Sequence, residues 1–217
     1  MSEHLDGKVV LITGAGGGFG ARIAARCAAG GARVVGVDVD DEGLSAVTAA
    51  ITDAGGAALA VVADVTDPEQ MAAAAAAAVE AYGAIDVLVN NAGVMPLAYF
   101  ADHAEALPRW LRAIDINLKG VVNGIAAVYD QMIAQGRGHV VTISSIYGNA
   151  GVAGSGVYSA TKAAVAVLSD SLRRETKGRI KVTTVKPTGV AGTNLSGGIV
   201  NFDAINGIVG NRAESFQ

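Results

Sequence analysis

The chain holds a single cysteine, Cys27, so no disulfide can form within it. Its formal net charge is −4. That excludes the basic excess expected of a nucleic-acid-binding face, and no nucleic-acid partner is expected. No run approaches the ~20 uninterrupted apolar residues of a membrane span. The alanine stretch 72–78 is too short and lies inside an amphipathic segment, so no membrane association is expected. The opening residues, Met1-Ser2-Glu3-His4-Leu5-Asp6, lack the basic start and apolar run of a secretion signal. His4, His103 and His139 are scattered, and none pairs with another at metal-ligand spacing. Asp64 and Asp67 resemble a metal pair only superficially, and no metal site is expected. A reduced, cytoplasmic setting is the simplest reading, with Cys27 as packing in a small-residue helix.

What is present is apolar and regularly patterned. Of 217 residues, 51% are hydrophobic and 17% charged, enough for one large domain with a substantial core. The β-rich runs at Val9–Ile12, Arg33–Val37, Ala57–Val62, Val87–Val89, Val140–Ile143 and Lys181–Val185 read as strands, and most are continuous apolar stretches of the kind buried on both faces of a parallel sheet. Helix patterns lie between them at 18–29, 41–54, 68–82, 104–134 and 157–175. Asp67-Pro68 supplies a cap and a first-turn proline for the third. The alternation predicts an α/β fold, a doubly wound parallel sheet of three layers in a single domain, 1–217. After Lys181–Val185 no further strand is visible. That leaves an apolar strand at an open edge, so the native chain is expected to continue or a partner to cover it.

Val9-Val10-Leu11-Ile12 runs into Thr13-Gly14-Ala15-Gly16-Gly17-Gly18-Phe19-Gly20, and a helix pattern follows. Strand, glycine-rich turn and helix start form the context in which such a motif holds a pyrophosphate. The glycines allow close backbone approach, and the helix start offers free N–H groups. The second strand runs into Asp38, eighteen residues after Gly20. A carboxylate there accepts the hydroxyls of an adenosine ribose and repels a 2′-phosphate, which predicts NAD rather than NADP. Asp64, in Ala63-Asp64-Val65, either holds an adenine amino group or caps a turn.

At the other end, Tyr158 and Lys162 stand four residues apart in Val157-Tyr158-Ser159-Ala160-Thr161-Lys162. In a helix they share one face. A cation beside a phenol is expected to lower its pKa and make it a general acid and base near neutrality.

The chain from about Lys8 to Thr193 resembles the short-chain dehydrogenase/reductase family, in its NAD-dependent branch. Thr13-Gly14-x-x-x-Gly18-Phe19-Gly20 is similar to the family's cofactor turn, with Gly16 and Gly17 inside it. Asp64-Val65 is similar to its adenine-site pair, and Asn90-Asn91-Ala92-Gly93 to the segment lining the adenosine side. Asn117, Ser145, Tyr158 and Lys162 match its catalytic set, with Ser145 thirteen residues before Tyr158. Pro187 and Val190 match its cofactor loop. Pro187-Thr188-Gly189 replaces Pro-Gly there, and the expected threonine falls one place late, at Thr193. The resemblance implies reversible hydride transfer between NAD and a secondary alcohol or ketone. Tyr158 would exchange the proton, Lys162 would bind the nicotinamide ribose, Ser145 would hold the substrate oxygen, and Asn117 would hold a water leading to solvent. It also implies a homodimer or homotetramer, and a native chain longer than the one given.

Met95, Leu97, Tyr99, Phe100, Tyr147, Val152, Ile199, Val200, Phe202 and Ile205 are either core packing or an oligomer face, or the lining of an apolar substrate pocket. The glycines near 189–198 suit a lid within the substrate loop 188–217. The competing readings are a non-catalytic dinucleotide sensor and a methyltransferase on a similar sheet. Neither has a use for the Tyr158–Lys162 pair.

Overall fold

The computed structural model describes residues 4–188 and 199–201. The strands are β1 (Val9–Thr13), β2 (Arg33–Asp38), β3 (Ala57–Val62), β4 (Val87–Asn90), β5 (His139–Ile143) and β6 (Lys181–Val185). The helices are α1 (Gly18–Ala29), α2 (Asp41–Asp53), α3 (Pro68–Tyr82), α4 (His103–Ile114), α5 (Gly120–Ala134) and α6 (Gly156–Thr176). Every strand pairs in parallel with its neighbours, in the order β3-β2-β1-β4-β5-β6. This is the doubly wound, Rossmann-like α/β arrangement that the alternation predicts.

Side-chain alternation along β1 feeds both faces. Val9 and Leu11 pack with Met71 and Ala78 of α3, Val128 and Met132 of α5, and Leu172 of α6. Val10 and Ile12 pack with Ala24 of α1 and with Leu44 and Ile51 of α2. The sheet is therefore the middle of three layers. Strand β3 departs from the expectation of two buried faces, with Val62 54% exposed. It is the outer strand on its side and has helix cover on less of its surface. Among the described residues no strand pairs with the outer edge of β6.

Two local predictions meet different outcomes. Asp67 caps α3 by accepting from the N–H groups of Glu69 and Gln70, as expected. The helix predicted at 104–134 is instead interrupted by a π-helical turn at Asp115–Lys119, which separates α4 from α5. Such a turn inserts an extra residue into the helical repeat and re-aims the side chains around it.

At the bottom of the sheet a buried carboxylate ties three segments together. Asp86 Oδ2 accepts from the Val9 N–H at 3.0 Å, and Oδ1 accepts from Arg137 Nε at 2.8 Å. Lys8 Nζ lies 3.7 Å away. Burial pushes the Asp86 carboxyl up, but the Arg137 and Val9 hydrogen bonds and the Lys8 charge outweigh it and hold it below the ordinary carboxylate range. A depressed folded-state pKa contributes stability above the unfolded value, which is lost as pH falls through the folded value. Replacing Asp86 with alanine strands the Val9 N–H, which costs about 1–3 kcal/mol. Denaturant titration at pH 7 should show that loss. The gap between wild type and Asp86→Ala should narrow as pH is lowered below about 4, the ordinary carboxylate value.

Candidate active site

The strand order reverses between β1 and β4, where the chain leaves in opposite directions and opens a crevice at the carboxyl ends of the strands. Hydrogen bonds fix both walls of that crevice to each other. Thr13 Oγ1 accepts from the N–H groups of Asn91 and Ala92 at 3.0 and 3.1 Å. Asn91 Nδ2 donates back to the carbonyls of Thr13 and Gly14 at 2.9 and 3.1 Å.

The glycine turn from Gly14 to Gly20 lies directly on this seam. Gly14 has φ +69°, and a methyl there would sit 2.8 Å from the Ala92 backbone. A methyl on Gly20 would lie 2.0 Å from the Gly14 carbonyl. Gly17 faces open space, and a methyl projecting from it would meet nothing within 4 Å. No side chain caps the start of α1. Its first N–H groups, from Gly18 onward, are thus left for an anion, which is the cradle a pyrophosphate requires. Asp38 stands beside it. Its Oδ2 accepts from the Gly16 N–H at 2.8 Å and its Oδ1 from the Asp40 N–H at 3.1 Å. The acid is therefore oriented by the same loop that would hold the phosphates, and these residues fit a dinucleotide.

Further along, Asp64 does cap a turn, since Oδ1 accepts from the Thr66 N–H at 2.8 Å. Its Oδ2 accepts from Arg112 Nη2 at 3.1 Å. Val65 is buried and follows immediately.

The four residues expected to act in catalysis all lie buried around the end of β5 and the first turns of α6. Asn117 is 0% exposed, Tyr158 and Lys162 5%, and Ser145 6%. The Ser144 hydroxyl donates to the Lys162 carbonyl at 2.7 Å, which fastens α6 to β5. Gly148 permits this closeness, because a methyl there would lie 2.8 Å from the Lys162 backbone. Lys162 Nζ sits 5.8 Å from the centre of the Tyr158 ring and donates to the Ile143 carbonyl at 2.9 Å. Asn117 occupies the π-helical turn. Its Oδ1 accepts from the Val94 N–H at 2.8 Å, and its Nδ2 donates to the Val94 carbonyl and Thr161 Oγ1 at 2.9 and 3.1 Å. Its amide is thus spent mainly on holding the Gly93–Val94 bend, rather than standing free for water. A methyl on Gly93 would lie 3.2 Å from Asn117 Oδ1 and 3.4 Å from Lys162 Nζ, so both polar atoms converge on this glycine.

The expected depression of the Tyr158 pKa by Lys162 is not what this arrangement produces. Burial pushes the phenol up, a hydrogen bond with Ser145 opposes it, and Tyr147 adds to the rise. Burial also acts on the lysine itself and lowers it to about 8. Desolvation therefore dominates both members of the pair.

Beside Tyr147, Leu97 and Ile199 form a buried cluster with Met95, Tyr99, Tyr147 and Val152 packed around it. The Tyr147 ring meets the Tyr158 ring edge-on at 6.4 Å. Val200 packs against Trp110. Pro187 is described, and its carbonyl accepts from the Ile146 N–H at 3.2 Å. Val190, Thr193, Phe202, Ile205 and the glycine run of the expected lid lie outside the described residues.

Reading the sequence missed three partners: Thr13 as the peg of the crevice, Thr161 behind Asn117, and Arg112 on Asp64. Thr13 had a signal, as a buried-type threonine opening the glycine turn. Arg112 and Thr161 had none, because their partners are 48 and 44 residues away.

The family model described as short chain dehydrogenase matches residues 8–203. A 3-alpha-(or 20-beta)-hydroxysteroid dehydrogenase of Mycobacterium tuberculosis is 44% identical over 188 residues, covering 86% of this chain and 70% of that one. A 2,5-dichloro-2,5-cyclohexadiene-1,4-diol dehydrogenase of Sphingobium indicum is 39% identical over 191 residues, covering 88% and 76%. The crystal structure of a short chain dehydrogenase/reductase from Burkholderia phymatum in complex with NAD superposes with a TM-score of 0.84 at 32% identity, covering 89% of this chain and 69% of that one.

The low pKa of Lys162 has a measurable consequence. Its folded-state value of about 8 lies below the ordinary 10.5, so between the two the unfolded chain binds more protons. Stability from this group therefore rises with pH across that window, and its penalty is complete below it. Lys162→Met removes the titration. Relative to wild type, the cofactor-free variant should be at its most favourable below pH 8 and lose ground steadily toward pH 10.5, as read by paired thermal melts.

Proposed function

The chain belongs to the short-chain dehydrogenase/reductase family and moves a hydride between NAD and an alcohol or its ketone, and on that premise we propose the role of each residue and the kind of substrate. The observation that carries the proposal is the convergence of Ser145, Tyr158, Lys162 and Asn117 at the end of β5 beside the glycine-lined crevice. NAD, when bound, supplies the hydride chemistry, and the protein positions and polarises.

The turn Gly14–Gly20, with Gly16, Gly17, Gly18 and Phe19, would hold the pyrophosphate of the dinucleotide. Asp38 takes the ribose hydroxyls, Asp64 the adenine amino group, and Asn91, Ala92 and Gly93 line the adenosine side. Pro187, Val190 and Thr193 are assigned to the nicotinamide end by the family pattern. Tyr158 gives its proton to the carbonyl oxygen in reduction and takes the hydroxyl proton in oxidation. Ser145 holds that oxygen by a hydrogen bond where charge develops. Lys162 supplies the nearby cation and binds the nicotinamide ribose. Asn117 holds the bend at Gly93–Val94 in place, and the spare lone pair on its Oδ1 is the point from which a water reaches Lys162. A phenol raised by burial is protonated through neutral pH, which suits the donor role in ketone reduction.

The substrate is an alcohol or ketone of mainly hydrophobic character. The support is the apolar cluster of Leu97, Ile199, Tyr147 and Val152 next to Tyr158. The hydroxysteroid-acting and cyclohexadienediol-acting relatives agree in chemical kind. A homodimer or homotetramer is supported by exposed apolar residues on α5 and α6, with Val122 44% and Val167 71% exposed. Residues 188–217 are assigned to the substrate loop and lid. A reduced, cytoplasmic location fits the lone cysteine.

Absorbance at the NADH band over a panel of hydrophobic ketones and secondary alcohols should reveal turnover. Tyr158→Phe should lower it by about 10²–10⁴-fold. NADH affinity should stay close to that of wild type in that variant, and unchanged turnover would remove Tyr158 from the chemistry. Asp38→Ala should weaken NADH and narrow its advantage over NADPH. An unchanged ratio of the two affinities would take the cofactor choice away from Asp38.

A further inference from the structure

We propose that Arg112 is a positioning residue for the cofactor's adenine end, holding the Asp64 carboxylate in the orientation that accepts the adenine amino group. The inference rests on the assignment of Asp64 to the adenine. Arg112 lies in the last turn of α4, and its Nη2 is 3.1 Å from Asp64 Oδ2. The other carboxylate oxygen is fixed independently by the Thr66 N–H at 2.8 Å. Each oxygen of an ionised carboxylate accepts more than one hydrogen bond. The two anchors thus set the carboxylate plane and leave acceptor capacity for a ligand.

The backbone of Asp64 is held too, since its N–H donates to Gln70 Oε1 at 2.9 Å, and Gln70 Nε2 donates to Asp67 Oδ2 at 2.9 Å. Thr66 and Gln70 are local and come with the turn. Arg112 is 48 residues away and is the contact that ties the turn to the helix leading into Asn117. Partial burial pushes the Asp64 carboxyl up, but the Thr66 bonds and Arg112 together outweigh it and hold the group below its ordinary range, so it is an acceptor at any working pH. Arg112 is half exposed, at 50%, and Asp64 is 29% exposed. A pair that wet adds little to stability. What it can supply is direction.

NADH and its hypoxanthine analogue differ at the adenine amino group, which the analogue replaces with a carbonyl while N1 gains a proton. The side chain's share is therefore read as the change in preference between wild type and Asp64→Ala. Their dissociation constants, measured by fluorescence titration on wild type, Arg112→Gln, Arg112→Lys and Asp64→Ala, isolate the contact. A hydrogen bond to a charged acceptor predicts that wild type prefers NADH by roughly tenfold or more. Asp64→Ala should abolish the preference. Arg112→Gln should cut it to about a third or less of the wild-type ratio by loosening that bond, with the analogue's affinity nearly unchanged, and Arg112→Lys should restore part of it. If Asp64→Ala keeps the wild-type ratio, the adenine assignment itself fails. If Asp64→Ala loses it and Arg112→Gln keeps it, Asp64 needs no help and the role of Arg112 is overturned. A loss of affinity for both ligands alike in Arg112→Gln leaves the ratio intact and overturns it equally.

Discussion

Much of the site hangs on one buried amide. Asn117 has no exposed surface, and its side chain bonds both backbone polar atoms of Val94 as well as the Thr161 hydroxyl. Val94 follows the end of β4, and Thr161 precedes Lys162 on α6. The amide therefore sets the distance between the crevice wall and α6. A π-helical turn is what aims it there, since the regular repeat of α4 would carry a side chain elsewhere. Unpaired buried polar groups are costly, so the three bonds also make this the only comfortable arrangement of the segment.

The same helical rod reaches the adenosine side. Asn123 Nδ2 donates to the Val65 carbonyl at 2.8 Å, and a methyl on Gly120 would collide with the Val65 side chain at 2.7 Å. Arg109 Nη1 donates to the Ile199 carbonyl at 3.3 Å, where the chain returns to the apolar cluster. Helices α4 and α5, with the turn between them, thus touch the Asp64-Val65 turn, the bend at Gly93 and the apolar cluster at Ile199. One rod therefore fixes the separation between the Asp64-Val65 turn and the bend beside Lys162.

The fold was legible because its signals are local. Continuous apolar runs, Asp67-Pro68 and the glycine turn each act within a few residues, and strands β3 and β6 and helices α1 and α3 fall where the pattern puts them. The residues proposed for catalysis were legible because helix spacing places Tyr158 and Lys162 together, and the family pattern supplies Ser145 and Asn117. The break at Asp115–Lys119 was not legible. A π turn keeps helical hydrophobicity on both sides and inserts its extra residue without a glycine or proline. Nor were the non-local hydrogen bonds, since nothing near Arg112 or Thr161 in sequence announces Asp64 or Asn117. The one electrostatic expectation to fail did so because spacing reports proximity and says nothing of burial. At Tyr158 burial raises the phenol and outweighs the opposing hydrogen bond from Ser145.

That failure clarifies what the pair is built to do. A phenol and an ammonium both taken out of water each resist charge, so the site starts with the phenol protonated and the lysine ready to lose its proton near pH 8. Lys162 is nevertheless anchored, because the Ile143 carbonyl, which is independent of the phenol, accepts its hydrogen bond at 2.9 Å. The lysine is thus held by the sheet and not by the tyrosine. Its charge can follow what happens above Gly93 without the ammonium moving away. Protonation at Tyr158 is then governed by how completely the cluster is kept from water and by the opposing hydrogen bond from Ser145.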